Sequence, residues 1–341
     1  MRTTFERNIK GSLTCLFFVF FFLGCSGTKE EAGINKLEGN ALGTTYHITY
    51  MGPVNEYLTA QIDSTLLGFN QALSTYHPTS LISKYNNNEA VVEDFESEAI
   101  GLLHLMIKKS MTISSLTDGA FDPGSAALFA LYSEAKKKGV YMDSVEVAEV
   151  LRHSGIDKVS IEKHWTGNLP VKLDSFVQLN FNAIAKGYFV DLLAHLLDSV
   201  GSQHYMVEVG GEVRTKGKNP SGKPWRIGIN RPQIGASAND FFEVLELTNQ
   251  SMATSGNYQN YYEVDGKVIG HTLDPRSGKP VITNLKSATI MHEECAVADA
   301  FATACMVLGV EKSTKLIESN PELSGYLIYE EEGELKGIHI K

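Results

Sequence analysis

Apolar residues recur along this chain with two periods. From Leu58 to Leu73 and from Ser97 to Leu116 they return every three or four positions, which predicts two amphipathic helices. Stretches rich in Thr, Tyr, Val and Ile read as strands: Gly43 to Tyr50, Tyr205 to Val209, Trp225 to Ile229, Tyr326 to Tyr329 and Gly337 to Ile340. Asn260 to Val264 and Lys267 to Leu273 flank Asp265-Gly266, a strong signal for a tight hairpin. From Leu179 a polar–apolar strand runs into Ala185-Lys186-Gly187 and then a helix, with Val190, Leu193, Leu196, Leu197 and Val200 on its inner face. Val297, Phe301, Ala304 and Leu308 form one apolar stripe on a helix over residues 295–309. Hairpins mixed with long helices predict an α+β fold with a largely antiparallel sheet and packed helices. No linker or repeat interrupts residues 40–341, which read as one domain.

The start of the chain breaks this pattern. Arg2, Arg7 and Lys10 precede a short apolar run, Leu13 to Leu23, and Gly24-Cys25 follows at once. A basic start, a brief apolar stretch and a small residue before the cut describe an export signal over residues 1–24. The run falls short of the ~20 residues that span a bilayer. Phe22-Leu23-Gly24-Cys25 resembles a lipobox, with Phe where Leu is usual, and marks Cys25 for lipid attachment. Residues 25–39 then read as a polar tether. The expected address is exported and lipid-anchored to a bacterial membrane, on the periplasmic side or at the cell surface.

Charge narrows the partners. The 341 residues carry 30 Lys+Arg against 40 Asp+Glu, and loss of residues 1–24 would make the balance more acidic still. Such a chain is a poor nucleic-acid binder, because phosphate contacts need clustered cations. Cys295 and Cys305 sit on one predicted helix ~15 Å apart, too far for a disulfide, so they read as small buried apolar residues.

Candidate chemistry lies in four places. Asp299 and Thr303 share a helix face, and a carboxylate with a hydroxyl one turn away offers hard oxygens suited to Mg²⁺. Taken alone, the pair fits better an Asp near a helix start and a Thr bonded to its own backbone. Lys186 beside a small-residue turn at a helix N-terminus is a phosphate site or an ordinary strand-to-helix turn. Asp122-Pro123-Gly124 is turn chemistry, and Phe121 before it stacks on a planar ring or fills the core. His271 lies among polar loop residues near Asp274-Pro275. Gly217 to Lys223 imitates half a P-loop, but Pro224 replaces the Ser or Thr that would meet Mg²⁺, and no Gly-x-Gly-x-x-Gly supports a Rossmann site.

Eight short motifs occur in order: Leu42-Gly43-Thr44-Thr45-Tyr46, Leu73-Ser74-Thr75-Tyr76, Gly119-Ala120-Phe121-Asp122-Pro123, Ala183-Ile184-Ala185-Lys186-Gly187-Tyr188, Val209-Gly210-Gly211-Glu212, Ala253-Thr254-Ser255-Gly256-Asn257-Tyr258, His271-Thr272-Leu273-Asp274-Pro275 and Ala298-Asp299-Ala300-Phe301-Ala302-Thr303. Together they resemble the ApbE family, the FAD:protein FMN transferases, over about residues 40–310. The resemblance implies an ApbE-type fold that binds FAD as substrate with Mg²⁺ at its pyrophosphate. It implies that Asp299, Thr303 and the Ala183 carbonyl hold the metal. It implies further that Leu42, Tyr76, Ala120, Phe121, Asp122, Asn180, Lys186 and His271 line the flavin nucleotide. Three positions depart from the family pattern: Leu42 for Met, Asn180 for Asp, and Ala302 where some members carry a further Asp.

The implied reaction moves FMN from FAD to a Thr or Ser hydroxyl of an acceptor flavoprotein and releases AMP. Asp299 would act through the metal, and His271 is the candidate base, or else only positions the flavin phosphate. No acceptor run of the family's type occurs in this chain, so the acceptor is expected to be another protein. Two other readings remain at this stage: an Mg²⁺-dependent FAD pyrophosphatase giving FMN and AMP, and a lipoprotein that binds FAD without chemistry.

Overall fold

The computed structural model describes residues 33–89, 97–164, 167–233, 235–237, 239–257, 261–264, 267–270 and 272–341. The expected export signal, Cys25 and the tether as far as residue 32 lie outside the described residues, as does His271.

The first elements are strands β1 (Ile34–Ala41) and β2 (Thr44–Met51), joined by Leu42-Gly43. Both turn residues have positive φ, 51° and 79°. That is the mirror-image turn that matches strand twist, and a leucine there is unusual. β1 corrects the expected boundary, because the fold starts at Ile34 rather than at residue 40, inside the segment read as tether. Its residues alternate between exposed and half-buried, so a sheet-edge strand leaves almost no apolar signature.

Helices α1 (Leu58–Leu73), α2 (Leu81–Asn86), α3 (Ser97–Leu116), α4 (Ala126–Lys138) and α5 (Ser144–Arg152) follow, then strands β3 (Val159–His164) and β4 (Gly167–Lys172). Next come α6 (Asn182–Ser199), β5 (His204–Val209), β6 (Glu212–Lys216), β7 (Trp225–Asn230), β8 (Phe241–Leu247) and β9 (Ser251–Gly256). Four short strands, β10 (Tyr261–Val264), β11 (Lys267–Gly270), β12 (Leu273–Asp274) and β13 (Lys279–Pro280), precede β14 (Leu285–His292). The chain ends with α7 (Cys295–Glu318), β15 (Ser324–Glu331) and β16 (Glu334–Ile340). Val264 pairs with Lys267 across a two-residue connection, the register that Asp265-Gly266 predicts. Eight strands form one antiparallel sheet in the order β1-β2-β5-β6-β9-β14-β15-β16. The α+β reading with a largely antiparallel sheet therefore holds. Among the described residues no helix is long and apolar enough to cross a membrane.

α6 and α7 pack against each other and on the sheet, α6 over β5 and β6, α7 over β9 and β14. The expected single apolar stripe on α7 is corrected. Ala298, Asp299, Ala302 and Cys305 are as buried as Phe301 and Ala304, while Val297 and Leu308 are only half-buried. A helix wedged between a sheet and another helix buries every side, so its pattern shows no clean face. It also runs past the expected end at Gly309, whose φ of 74° and ψ of 178° break the helix before it resumes.

Asp191 of α6 fixes how the two helices meet. Its carboxylate accepts hydrogen bonds from Cys295 N (3.0 Å) and Ala296 N (2.9 Å), which satisfies free amides at the start of α7. Arg214 of β6 pairs with the same carboxylate. Gly187 lets the axes approach: a Cβ there would lie 2.4 Å from Cys295 O and 2.8 Å from Asp299 Cβ.

Candidate active site

A cavity of about 790 Å³ opens beside the α6–α7 contact, within the range of small-molecule sites. The loop before α4 supplies Ala120, Phe121 and Asp122, and the start of α6 supplies Asn180, Ala183 and Lys186. Thr303 and Met306 come from α7, Ser255 and Gly256 from the end of β9, Thr272 from the residue before β12 and Leu273 from β12 itself.

The nucleotide-lining residues expected from the sequence take different parts in this wall. Phe121 and Ala120 are buried, 2% and 1% exposed, so Phe121 belongs to the core while its ring forms cavity wall. Tyr76 is 82% exposed at the rim, free to fold over a ring system. Asp122 builds the loop: Oδ1 accepts from Gly124 N (2.7 Å) and Ile156 N (2.9 Å). Burial pushes its carboxyl up to about 6 in spite of those bonds. Asn180 starts α6, since Oδ1 accepts from Asn182 N (2.9 Å) while its own amide donates to Pro123 O (2.9 Å). Leu42 is not among the lining residues; it sits in the β1–β2 turn, packed against the core. The sequence places a strand and turn ahead of Lys186, but α6 already begins at Asn182 and Lys186 lies within its opening turns. The side chain that starts the helix stands two residues before it, which hides the boundary.

Of the expected metal-binding residues, Ala183 and Thr303 line the cavity, and Asp299 lies beneath its wall rather than among the lining residues. Asp299 is 4% exposed, and Oδ2 accepts the Gly187 amide at 3.0 Å. In a regular helix that amide donates to the carbonyl four residues back, which is Ala183. Asp299 competes for this hydrogen, so the carbonyl of the cavity-lining Ala183 keeps accepting capacity. Thr303 Oγ1 lies 3.4 Å from Ser255 Oγ. Burial pushes the Asp299 carboxyl above its ordinary range, against the pull of Lys186 and the Gly187 hydrogen bond.

One residue escaped the sequence reading as a site residue. Glu212 closes the Val209-Gly210-Gly211-Glu212 motif, where two glycines with φ of 56° and 102° make the turn from β5 into β6. It is 2% exposed, and its Oε2 lies 2.5 Å from Lys186 Nζ, outside good hydrogen-bond angles. Burial raises its pKa, and the Asp299 charge adds to that rise. Burial works against the charge on Lys186, yet Glu212 and Asp299 outweigh it and hold its pKa above the ordinary lysine value. Lys186 thus stands between two buried carboxyl groups, and burial disfavours the ionised form of both. The available signal was an acidic residue fixed behind a Gly-Gly turn.

This electrostatic state bears on metal binding. One carboxyl, one hydroxyl and one carbonyl are hard oxygen donors, and a cation would favour the ionised form of Asp299 that burial disfavours, so the residues fit Mg²⁺. Among the described residues no three His, Cys, Asp or Glu side chains converge on a metal position. A site at this floor would rest on Asp299 alone for its charge.

The model of the ApbE family matches residues 42–327. The FAD:protein FMN transferase of Haemophilus influenzae is 31% identical over 328 residues, covering 94% of this chain and 93% of the relative. The Vibrio cholerae enzyme of the same name is 33% identical over 315 residues, covering 90% of each. Two solved structures superpose at 30% identity and cover 91% of this chain. They are the flavin transferase ApbE from Vibrio cholerae (TM-score 0.77, 98% of that chain) and apo flavinyl transferase ApbE from Pseudomonas stutzeri (TM-score 0.78, 96% of that chain).

Proposed function

The chain belongs to the ApbE family, and from that premise we propose that it transfers FMN from FAD to a hydroxyl of another protein and releases AMP. The observation that carries this reading is the cavity floor. Lys186, Ala183 and Thr303 line one space, and the buried carboxyl of Asp299 is tied to the same stretch of α6 through the Gly187 amide.

The chain's own groups divide the work. Phe121, Ala120 and Met306 offer apolar wall for a ring system, and Tyr76 can cover it from the rim. Lys186 presents a held positive charge to the pyrophosphate. The acceptor oxygen forms a bond to the flavin-side phosphorus while the bond to the AMP oxygen breaks. Confinement favours a docked hydroxyl over water, since orientation converts an encounter into an intramolecular step. Asp299, Thr303 and the Ala183 carbonyl would hold Mg²⁺, which when bound neutralises charge on the phosphates. His271, the residue before the cavity-lining Thr272, is proposed to take the hydroxyl proton. The acceptor is proposed to be a flavoprotein segment that offers Thr or Ser.

The test is FAD turnover with and without an acceptor domain, read by mass spectrometry of protein and nucleotides. Acceptor should raise FAD consumption at least tenfold above the hydrolytic background, as expected for an oriented nucleophile. The acceptor should gain the mass of FMN, and chelation should stop the reaction. Equal FAD cleavage with and without acceptor, and no flavin on protein, would leave a pyrophosphatase instead.

We further propose that Cys25 carries lipid and keeps the enzyme on a membrane near its acceptors. Cys25→Ser should move the protein to the soluble fraction with its transfer activity intact. Membrane retention of a signal-processed Cys25→Ser protein would refute the anchor.

A further inference from the structure

Glu212 lines no part of the cavity, yet it is a buried carboxyl group, and the one ion-pair partner it has in the described structure is a residue that does line it. An isolated buried carboxylate is costly, and a lysine carries a long side chain with much rotational freedom. The contact answers both problems. The turn Gly210-Gly211 sets Glu212 at the first position of β6, paired with Val209 of β5 in the middle of the sheet. The Gly210 turn cannot shift freely, because a Cβ at this position would already lie 2.6 Å from the Thr44 side chain. The sheet therefore holds Glu212, and Glu212 holds the Lys186 ammonium from behind. We propose that Glu212 is a positioning residue for FAD binding, one that fixes Lys186 at the cavity wall before the pyrophosphate arrives. The lysine then pays little ordering entropy on binding. Glu212 itself touches neither substrate nor metal.

This assignment rests on the flavin-transferase reading, and its test separates the two. FAD affinity is measured by flavin fluorescence quenching for the full chain and for Glu212→Gln, Lys186→Met and the double variant, with thermal midpoints recorded alongside. Glu212→Gln keeps the volume and removes the charge. It should weaken FAD binding about tenfold, and Lys186→Met should weaken it at least as much. The double variant should bind FAD no more weakly than Lys186→Met, because Glu212 has then lost the group through which it acts. Independent, multiplying losses would mean that Glu212 acts through the fold at large and would overturn the assignment. Unchanged or tighter binding by Glu212→Gln would also overturn it, since Glu212 would then be idle or a competitor for the lysine. Should Glu212→Gln fail to fold, Glu212→Asp takes its place, because it withdraws the carboxyl from the lysine; it should weaken FAD binding beside Lys186 and leave it unchanged beside Lys186→Met, and any other pattern would overturn the assignment. Failure of the unaltered chain to bind FAD would remove the functional reading and this assignment with it.

Discussion

Asp299→Ala is expected to reduce FMN transfer on the order of a thousandfold while the protein stays folded. The functional loss follows from removing the one carboxylate among the residues expected to hold the metal, where charge neutralisation supplies several kcal/mol at ~1.4 kcal/mol per decade of rate. Stability should behave differently. Asp299 is buried, and burial raises its pKa above the ordinary value. A carboxyl whose folded pKa exceeds its unfolded one stabilises the fold at acid pH and withdraws that support as pH rises through the folded value. In metal-free protein near neutrality its ionisation therefore works against folding. Asp299→Asn keeps the volume and an oxygen for the Gly187 amide, so its thermal midpoint should equal or exceed that of the parent. Its advantage should grow from about pH 4 upward, and it should be as inactive as the alanine variant. Activity within tenfold of the parent in both variants, at ordinary Mg²⁺, would place the metal elsewhere.

Gly187→Ala is expected to damage both fold and site. The added Cβ would fall 2.4 Å from Cys295 O and 2.7 Å from Cys295 C, both backbone atoms that no rotamer change can move. α6 and α7 must separate, and that motion strains the hydrogen bonds from Cys295 N and Ala296 N to Asp191. It also draws the Gly187 amide away from Asp299. Overpacking of this kind costs about 3 kcal/mol or more, a fall in thermal midpoint of roughly 5–10 °C. FMN transfer should fall with it, since Ala183 and Lys186 ride on the displaced helix. Gly68→Ala is the control: it lies in α1 with nothing within 4 Å of the new Cβ, and it should be neutral or mildly stabilising. An unchanged midpoint for Gly187→Ala would show that the helices are not held as tightly as their geometry indicates.

The elements that could be read from the chain were those with one wet and one dry face. α1 and α3 end where the helical period says they end, and β2 and β5 appear within a residue of their alternating stretches. Elements at the extremes escaped. β1 is too exposed to show an apolar face, and α7 is buried on too many sides to show a polar one. The start of α6 was misplaced because Asn180 satisfies its first amide from outside the helix.

For the site, the amino-acid sequence by itself determined the family, and with it the kinds of groups present: a carboxylate and hydroxyl one helical turn apart, a lysine beside a glycine, an aromatic before an Asp-Pro turn. Those are local properties, carried by residue type and short spacing. Which of them meet was decided only by the tertiary structure. Lys186, Glu212 and Asp299 come from α6, β6 and α7, and they interact because the sheet and two close-packed helices bring three distant segments to one floor. The same packing removes the water that would otherwise screen them. Leu42 was left in a half-buried turn against the core and Glu212 drawn into the cluster with Lys186 and Asp299 for the same reason: burial and field at a point depend on everything folded around it, and no window of sequence contains that information.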